Sequence, residues 1–236
     1  MASRKRVLRK RVLLWTTAVI AAVVGLNWAY QVLRKPSELL APVGSVKTPA
    51  ETWREYERIF RKYSTPVITP ELLAALAQVE AAGNPVATTA WRLRVAADPR
   101  QVYRPASSAV GLFQMTDGTF AQAKRYCVRG HAVREDCWFN ALYTRVLPRH
   151  AVELTSAYLD RRVAAILEGR RIAATLAQKQ ELAALIHLCG ASAGDIYAAR
   201  GFRLKPGQRC GEHDPRAYLA RVATMKRLFA GLKALG

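Results

Sequence analysis

Two stretches of sequence decide the fold: LLAALAQVEAAGNP at residues 72–85 and SSAVGLFQMTDGTF at residues 107–120. In the first stretch, Thr69-Pro70-Glu71 is a helix-start pattern, and Gly83-Asn84-Pro85 ends the helix. Between these signals, apolar side chains recur at helical spacing at Leu72, Leu73, Leu76 and Val79. The stretch therefore predicts a short apolar helix with Glu80 near its end.

Glu80 is the candidate acid for chemistry. It lies at the C-terminal end of the predicted helix, where the helix dipole disfavours an anion. Burial favours the protonated form of a carboxyl group, which is the form that a general acid needs. A solvated surface acid is the alternative interpretation. In the second stretch, Gly111 allows close backbone approach, and Gln114 between hydrophobes suits a loop residue bonded to backbone.

Helical patterns continue through most of the chain after residue 50. Residues 51–63 place aromatic and aliphatic side chains on one stripe, and Pro148 opens a helix to about residue 167. Thr175 caps a helix to about residue 189, and Asp214-Pro215 starts the last one. Alternating strand patterns are scarce. The sequence predicts one all-α, mostly helical domain at residues 51–236, behind a punctuated linker at residues 34–50.

The N-terminal region indicates a membrane anchor. Six basic residues lie within the first eleven, and the 22 residues 12–33 that follow carry no charge. A helix of about 20 apolar residues spans a bilayer core. Because positive charges favour the cytoplasmic side, residues 1–11 are predicted to be cytoplasmic and residues 12–33 to be a transmembrane anchor. A cleaved signal peptide is the alternative, although small residues are missing where its cleavage site would need them.

The charge is strongly basic, with 37 Lys and Arg residues against 17 Asp and Glu residues, or +20. Residues 1–35 carry eight basic residues and no acid, which leaves 29 basic and 17 acidic residues, or +12, for the remainder. Such a protein favours an anionic polymer or an acidic membrane surface. No nucleic-acid partner is expected, because no nucleic-acid-binding motif is present and an exported domain rarely meets DNA.

Four cysteines fit an oxidising compartment. They form no C-x-x-C pair and have no zinc-ligand spacing with the four histidines, so no metal site is expected. Of the three possible pairings, we favour Cys127–Cys137 with Cys189–Cys210, because this pairing closes the shortest loops. Free buried cysteines are the alternative, and they would suit a cytosolic chain.

Together, the two stretches resemble the soluble lytic transglycosylase family, which is related to goose-type lysozyme and is mostly helical. The family's first motif is a catalytic Glu followed by Ser; Glu80 matches, and Ala81 replaces the Ser. The second motif, Gly-Leu-Met-Gln, is similar to residues 111–114. The third, Ala-Tyr-Asn-Ala-Gly, is degraded, since its nearest segment at residues 186–191 lacks the Tyr and Asn. Tyr218 matches a Tyr of the family's C-terminal helix.

The resemblance implies a peptidoglycan lytic transglycosylase that cleaves the bond between N-acetylmuramic acid and N-acetylglucosamine and leaves 1,6-anhydro ends, with no cofactor. Glu80 would be the single catalytic acid and base, and Tyr218 would orient it. Gln114 would hydrogen-bond sugar or N-acetyl groups. Side chains expected to pack on or reach the substrate are Phe113, Met115, Ser107 and Ser108.

Two other functions remain open besides a lytic transglycosylase. A muramidase would hydrolyse the same bond with a second acid, for which the candidates are Asp98, Asp117, Asp136 and Asp195. An inactive, membrane-tethered glycan-binding or scaffold protein would explain the degraded third motif. The implied partners are peptidoglycan glycan strands, the membrane and the cell-envelope machinery. The implied location is the bacterial inner membrane, with a single pass and the domain in the periplasm.

Overall fold

The computed structural model describes residues 2–34, 36–93, 95, 96 and 98–234. Within these residues, the α-helices are α1 (Ala2–Arg34), α2 (Pro49–Lys62), α3 (Pro70–Ala81), α4 (Asp117–Ala123), α5 (Pro148–Arg170), α6 (Leu176–Cys189), α7 (Ala191–Ala199) and α8 (Pro215–Ala234). Two short antiparallel hairpins pair β1 (Trp91–Leu93) with β2 (Tyr103–Pro105), and β3 (Cys127–Arg129) with β4 (Ala132–Arg134). Short 3-10 helices lie at Pro36–Leu39, Ala41–Val43, Pro99–Gln101 and Trp138–Leu142. The predicted, mostly helical class is confirmed.

The chain divides into two compact units. Unit 1 is formed by Met1–Pro42 and Thr88–Ser108, and unit 2 by Val43–Ala87 and Ala109–Gly236. The first hairpin therefore groups with α1, which the sequence pattern did not indicate. The boundaries predicted from the sequence, at residues 11, 33 and 50, stay predictions.

Unit 1 contains the apolar helix. The most apolar 18-residue stretch within Arg6–Leu33 of α1 has a mean hydropathy of 1.8, and most apolar side chains of this range are exposed. By length and composition, this helix can cross a membrane, a criterion that a signal sequence near the N-terminus also meets. It is therefore a possible membrane anchor.

Unit 2 is built around α3. The six residues from Leu72 to Ala77 are each at most 1% exposed, because α2 and α8 pack against this helix. The sequence predicted one apolar face, whereas the structure buries α3 on all sides, as is typical of a helix at the centre of a domain. Burial of each leucine side chain contributes about 1.5–3 kcal/mol.

Most helix starts are fixed by local signals in the sequence. Thr69 caps α3 by accepting a hydrogen bond from the backbone N–H of Leu72, and Thr175 caps α6 in a capping box with Gln178. The carboxylate of Asp214 accepts from the backbone N–H of Arg216 at the start of α8. Caps of this kind each contribute about 1 kcal/mol, which explains why the sequence predicted these starts correctly.

Two disulfides join the four cysteines in the favoured pairing. Cys127 is bonded to Cys137, with their Cα atoms 5.9 Å apart. Cys189 is bonded to Cys210, with their Cα atoms 5.3 Å apart. The second bond ties the end of α6 to the loop that precedes α8, and these two helices carry the residues that contact Glu80.

Candidate active site

Three helices bring side chains together at Glu80, on the last turn of α3. The hydroxyl of Tyr218, from α8, donates a hydrogen bond to Glu80 Oε1 at 2.5 Å. Nε2 of His187, from α6, lies 3.5 Å from the same oxygen. The Glu80 side chain is 17% exposed and that of His187 is 8% exposed. The carboxyl group is therefore largely enclosed by protein but still accessible from solvent.

Glu80 stands just before a fixed end of α3. Ala82 has φ +46° and Gly83 has φ +70°, so both adopt the left-handed conformation that ends a helix. The backbone N–H of Ala82 donates to the carbonyl of Gln78, and that of Gly83 to the carbonyl of Ala77. These bonds satisfy carbonyl groups that the end of the helix would otherwise leave unpaired. The position of Glu80 is thereby held from its C-terminal side.

Tyr218 is the donor in its contact with Glu80. Tyr218 is 3% exposed. Burial, and then the negative charge of Glu80, hold the pKa of the Tyr218 hydroxyl well above its usual value. The hydroxyl therefore keeps its proton. The structure places Tyr218 on Glu80, as the family resemblance implied.

His187 was missed by the sequence reasoning, which noted what residues 186–191 lack. Alignment of that segment on Gly190 puts His187 where the family's third motif has its Tyr. This alignment was the signal that could have found it. At this position the chain has an imidazole in place of the motif's phenol, and the imidazole lies beside the acid together with Tyr218.

The Gly-Leu-Phe-Gln loop depends on close backbone approach, as predicted. Gly111 has φ +83°, and a Cβ atom added there would lie 2.2 Å from the carbonyl oxygen of Arg145. The backbone N–H of Gly111 donates to the carbonyl of Ala87 at 2.8 Å. Paired backbone bonds between Val110 and Met115 close the loop. A glycine is required at this position by both its conformation and the available space.

The side chain of Gln114 helps to hold this loop. Its Nε2 donates to the carbonyl oxygens of Ala87 at 3.0 Å and Gly111 at 3.1 Å. The nitrogen is thus engaged by backbone, as expected for a loop glutamine. A contact of Gln114 with sugar stays a prediction, and it would use the remaining amide oxygen.

The predicted packing of Phe113 and Met115 on pyranose rings does not agree with their placement. Phe113 is 1% exposed and Met115 is 3% exposed. Both side chains point into the hydrophobic core of unit 2, together with Leu112. The tight turn at Gly111 directs these apolar side chains inward, so neither presents a face to a ligand.

Ser107 and Ser108 belong to unit 1. The backbone N–H of Ser107 donates to Thr89 Oγ1 at 3.2 Å, and Thr89 Oγ1 donates to the carbonyl of Ser107 at 3.1 Å. These bonds are made within the segment 88–108. Contact of either serine with substrate stays a prediction.

Three of the four acids named as a possible second carboxylate are engaged in ion pairs. Asp117 lies 2.7 Å from Arg145, and Asp195 lies 2.5 Å from Arg170. In unit 1, Asp98 pairs with Arg100 at 3.0 Å. Asp136 is exposed. Within the described part of the chain, no group of three or more His, Cys, Asp or Glu side chains could hold a metal ion.

Comparison with known proteins identifies the family of the chain. The sequence model described as Transglycosylase SLT domain matches residues 57–180. The matched range contains Glu80 and the Gly111 loop, and it ends before His187 and Tyr218. No curated protein and no solved structure gives a significant match. Because the family match covers more than half of the chain, this protein belongs to the Transglycosylase SLT domain family.

Proposed function

We propose that the protein is a membrane-anchored lytic transglycosylase that cleaves the glycosidic bond between N-acetylmuramic acid and N-acetylglucosamine in peptidoglycan. The main observation in support of this proposal is the contact of the Tyr218 hydroxyl with Glu80 Oε1 at 2.5 Å, inside a largely enclosed site. Since the contacts of Tyr218 and His187 are both made with Oε1, Oε2 is the oxygen proposed to exchange the proton with substrate.

The first step is protonation of the leaving group. Glu80 in its protonated form donates its proton to the glycosidic oxygen while the bond between C1 and that oxygen breaks. Positive charge develops at C1 of the muramic acid. The substrate's own acetamido group stabilises that positive charge. No second protein carboxylate is therefore required, in contrast to ordinary glycosidases.

The second step closes the anhydro ring. Glu80, now a carboxylate, takes the proton from the C6 hydroxyl of the muramic acid, and the C6 oxygen forms a bond to C1. The product carries a 1,6-anhydro end, Glu80 is protonated again, and no water is consumed. One acid that alternates between the two forms is therefore sufficient for the cycle.

Tyr218 and His187 are proposed as positioning residues for this acid. The Tyr218 hydroxyl fixes Oε1, so the carboxyl group turns Oε2 toward the substrate. His187 lies beside the same oxygen and supports the carboxylate form between the two steps. These two side chains take the place of the family's third polar motif.

The basic N-terminal segment and the apolar helix α1 support a single-pass anchor in a bacterial inner membrane, with the catalytic unit in the periplasm. A phosphatase fused after residue 236 is then expected to be active. The mature protein should also keep its own N-terminus. An N-terminal sequence beginning near residue 30 would contradict the anchor.

The test of the reaction is product analysis. The full-length chain is incubated with purified sacculi, and the soluble products are identified by mass spectrometry. Anhydro ends are expected, and the Glu80→Gln variant serves as the inactive control. No products from the native chain would favour a glycan-binding or scaffold role.

A muramidase is the second candidate, because His187 beside Glu80 could act as the base that activates water. Hydrolysis would leave reducing ends, which are heavier than anhydro ends by one water. The same mass spectra therefore separate the two reactions. Reaction in ¹⁸O-labelled water adds an internal check, since only hydrolysis incorporates the label.

A further inference from the structure

In unit 1, the β1–β2 hairpin is held against the C-terminal end of α1. Nδ2 of Asn27 donates to the carbonyl oxygen of Tyr103 at 2.5 Å, and Nε2 of Gln31 donates to the carbonyl oxygen of Arg100 at 2.7 Å. Asn27 is 5% exposed and Gln31 is 9% exposed, whereas the apolar side chains earlier in α1 are mostly exposed. The two amides lie one helical turn apart, so the same face of α1 makes both bonds.

With α1 spanning a bilayer, as proposed above, these two hydrogen bonds fix how deeply the hairpin lies in it. At about 1.5 Å per residue, a hydrocarbon core about 30 Å thick that begins at Val12 ends near Val32. Gln31 then lies at its outer boundary, and Asn27 lies about 8 Å inside it. A polar amide at that depth needs an internal partner, and the hairpin carbonyls accept from both amides. The hairpin is thereby held where the hydrocarbon core meets the lipid headgroups.

The hairpin has the apolar and aromatic side chains of an interfacial segment. Leu93 is 73% exposed, and Val95 is fully exposed. The rings of Trp91 and Tyr103 pack with their centroids 5.0 Å apart, and the indole N–H of Trp91 donates to Glu38 at 3.1 Å. Tryptophan and tyrosine prefer the membrane interface, where one part of the ring is apolar and the other meets water.

The charge of the hairpin complements an anionic surface. Arg92 and Arg104 stand directly opposite each other in the strand register. Opposed residues of a strand pair share one face of the sheet, so both guanidinium groups belong to the same side of the hairpin. Beside them lies a cavity of about 190 Å³, lined by Tyr30, Gln31, Asp98, Arg100, Gln101 and Arg104. Its two arginines outnumber its one carboxylate, and guanidinium groups bind phosphate with two parallel hydrogen bonds.

We propose that the β1–β2 hairpin and the end of α1 form a membrane-interface surface that binds the phosphate groups of anionic phospholipids. The proposal rests on the membrane anchor put forward above, and it is independent of the reaction at Glu80. Leu93 and Val95 enter the apolar boundary, and Arg92 and Arg104 contact headgroup phosphates. This surface is a second membrane contact of the protein, next to its spanning helix.

The experiment uses the full-length chain in lipid nanodiscs that contain phospholipids brominated near the headgroup, which quench tryptophan fluorescence. A Leu93→Trp variant adds a tryptophan at the exposed strand end. After Trp91→Phe has removed the native tryptophan of the hairpin from every variant, Trp15 and Trp28 of α1 report on the anchor in the same sample. Leu142→Trp adds a tryptophan at a position of similar exposure, 77%, in unit 2, and it measures quenching that does not depend on the hairpin. We expect the fluorescence added at residue 93 to be quenched.

The role of the hairpin arginines is tested by measuring quenching of the Leu93→Trp variant while the fraction of anionic lipid is varied. Replacement of Arg92 and Arg104 by Gln should lower the apparent affinity for anionic lipid about five-fold per arginine and so raise the anionic fraction needed for half-maximal quenching. The matched control replaces Arg129 and Arg134, two exposed arginines of the β3–β4 hairpin, and should leave that fraction unchanged.

The possible results distinguish the interfacial position of the hairpin from the membrane anchor formed by α1. Quenching of the α1 tryptophans without quenching at residue 93 keeps the anchor and overturns the interfacial hairpin. Quenching at neither position refutes both. If the Arg92 and Arg104 replacements leave the lipid titration unchanged but weaken binding of soluble glycan strands, the surface serves peptidoglycan and the lipid proposal is wrong. Absence of anhydro products would refute the reaction without altering the quenching result.

Discussion

His187 Nε2 lies 3.5 Å from Glu80 Oε1, so an imidazole from α6 lies beside an acid on α3. The match to the family model ends at residue 180, before this histidine. Glu80 and the glycine loop thus lie within the matched range, whereas His187 and Tyr218 lie after it.

Replacement of Glu80 by Gln should abolish release of anhydro products and leave the fold intact. Glutamine keeps the shape of the side chain and can still accept from Tyr218, but it cannot donate and then recover a proton. General acid and base catalysis contributes about 10²- to 10⁴-fold to rate, so a loss of at least that size is expected. The measurement is the initial rate of anhydro-muropeptide release, with circular dichroism as the check of folding.

Glu71→Gln is the matched control, because Glu71 lies on the same helix and pairs with Lys233 at 2.8 Å, away from the acid. It should retain activity. Unchanged turnover in the Glu80 variant would remove this residue from the mechanism.

Replacement of His187 by Leu should lower kcat about ten- to a hundred-fold with little change in KM. The imidazole lies 3.5 Å from Glu80 Oε1, and a leucine in its place leaves the carboxylate form of Glu80 against an apolar side chain, where that form is less stable. His187→Gln keeps an N–H donor and should recover part of the rate. Steady-state kinetics on purified glycan strands measures both variants.

A double-mutant cycle with Tyr218→Phe sharpens this prediction. Both side chains contact the same oxygen, so their effects on kcat should not be additive. Strict additivity, or wild-type kinetics in His187→Leu, would mean that the histidine only fills space.

Asp160 should make stability depend on pH in a definite direction. Burial raises its pKa above the ordinary value of 3.8, although Thr65 donates to its carboxylate at 2.5 Å and Lys179 lies near. The native state therefore holds this proton more tightly than the unfolded chain does. The resulting stability is present below the ordinary pKa and is lost as the pH rises through the raised one. Asp160→Asn should raise Tm near pH 7 and have little effect near pH 3.

Asp195→Asn is the control of opposite sign. Its hydrogen bond with Arg170 lowers the pKa of Asp195, so its stabilisation is present above the ordinary pKa and is lost as the pH falls through the lowered one. This variant should lower Tm slightly near pH 7 and leave it unchanged near pH 3. A fall in Tm for Asp160→Asn near pH 7 would mean that hydrogen bonding outweighs the cost of burial.

Gly111→Ala should destabilise unit 2. The residue has φ +83°, and the new methyl group would meet the carbonyl oxygen of Arg145 at 2.2 Å. The backbone conformation alone costs about 1–3 kcal/mol, and the clash adds to it. Gly118→Ala is the control, because this glycine lies in α4 with no neighbour within 4 Å of the added atom, and it should be neutral or stabilising. Equal denaturation midpoints for the two variants would contradict the steric reason.

Local signals in the sequence were sufficient to predict the helix starts and the short disulfide loops. Thr69, Thr175 and Asp214 bond to backbone groups two or three residues away, so sequence neighbours alone determine these caps. Glu80 and Tyr218 were recognised through motifs of a known family. In both cases, the decisive information lay within a few residues of the position concerned.

What the sequence did not reveal depends on tertiary packing. The contact between His187 and Glu80 exists only because α6 packs in the same core as α3. Phe113 was expected to meet ligand, and only the turn at Gly111 sends it inward. The contacts that join residues 88–108 to α1 include two side chain–backbone bonds, from Asn27 and Gln31, over separations of 76 and 69 residues. Strands of three residues give no alternation that could have indicated it.

The bond between Cys189 and Cys210 should support both stability and activity. Cys189 lies two residues after His187, and Cys210 lies in the loop before the Asp214 cap of the helix that carries Tyr218. The bond therefore restrains both side chains that contact Glu80. A disulfide closing a loop of this size typically contributes about 2–4 kcal/mol. The double replacement of Cys189 and Cys210 by Ser should lower Tm and reduce kcat.

The matched control is the double replacement of Cys127 and Cys137 by Ser, which opens the other disulfide. That bond joins β3 to the segment after β4, and neither residue lies on a helix that contributes to the acid's surroundings. Its loss should lower Tm while leaving kcat close to the wild-type value at temperatures where the protein stays folded. Equal losses of kcat in the two double variants would mean that the bond at Cys189 acts through overall stability alone. A selective loss in the Cys189 and Cys210 variant would indicate that this disulfide positions His187 and Tyr218 around Glu80.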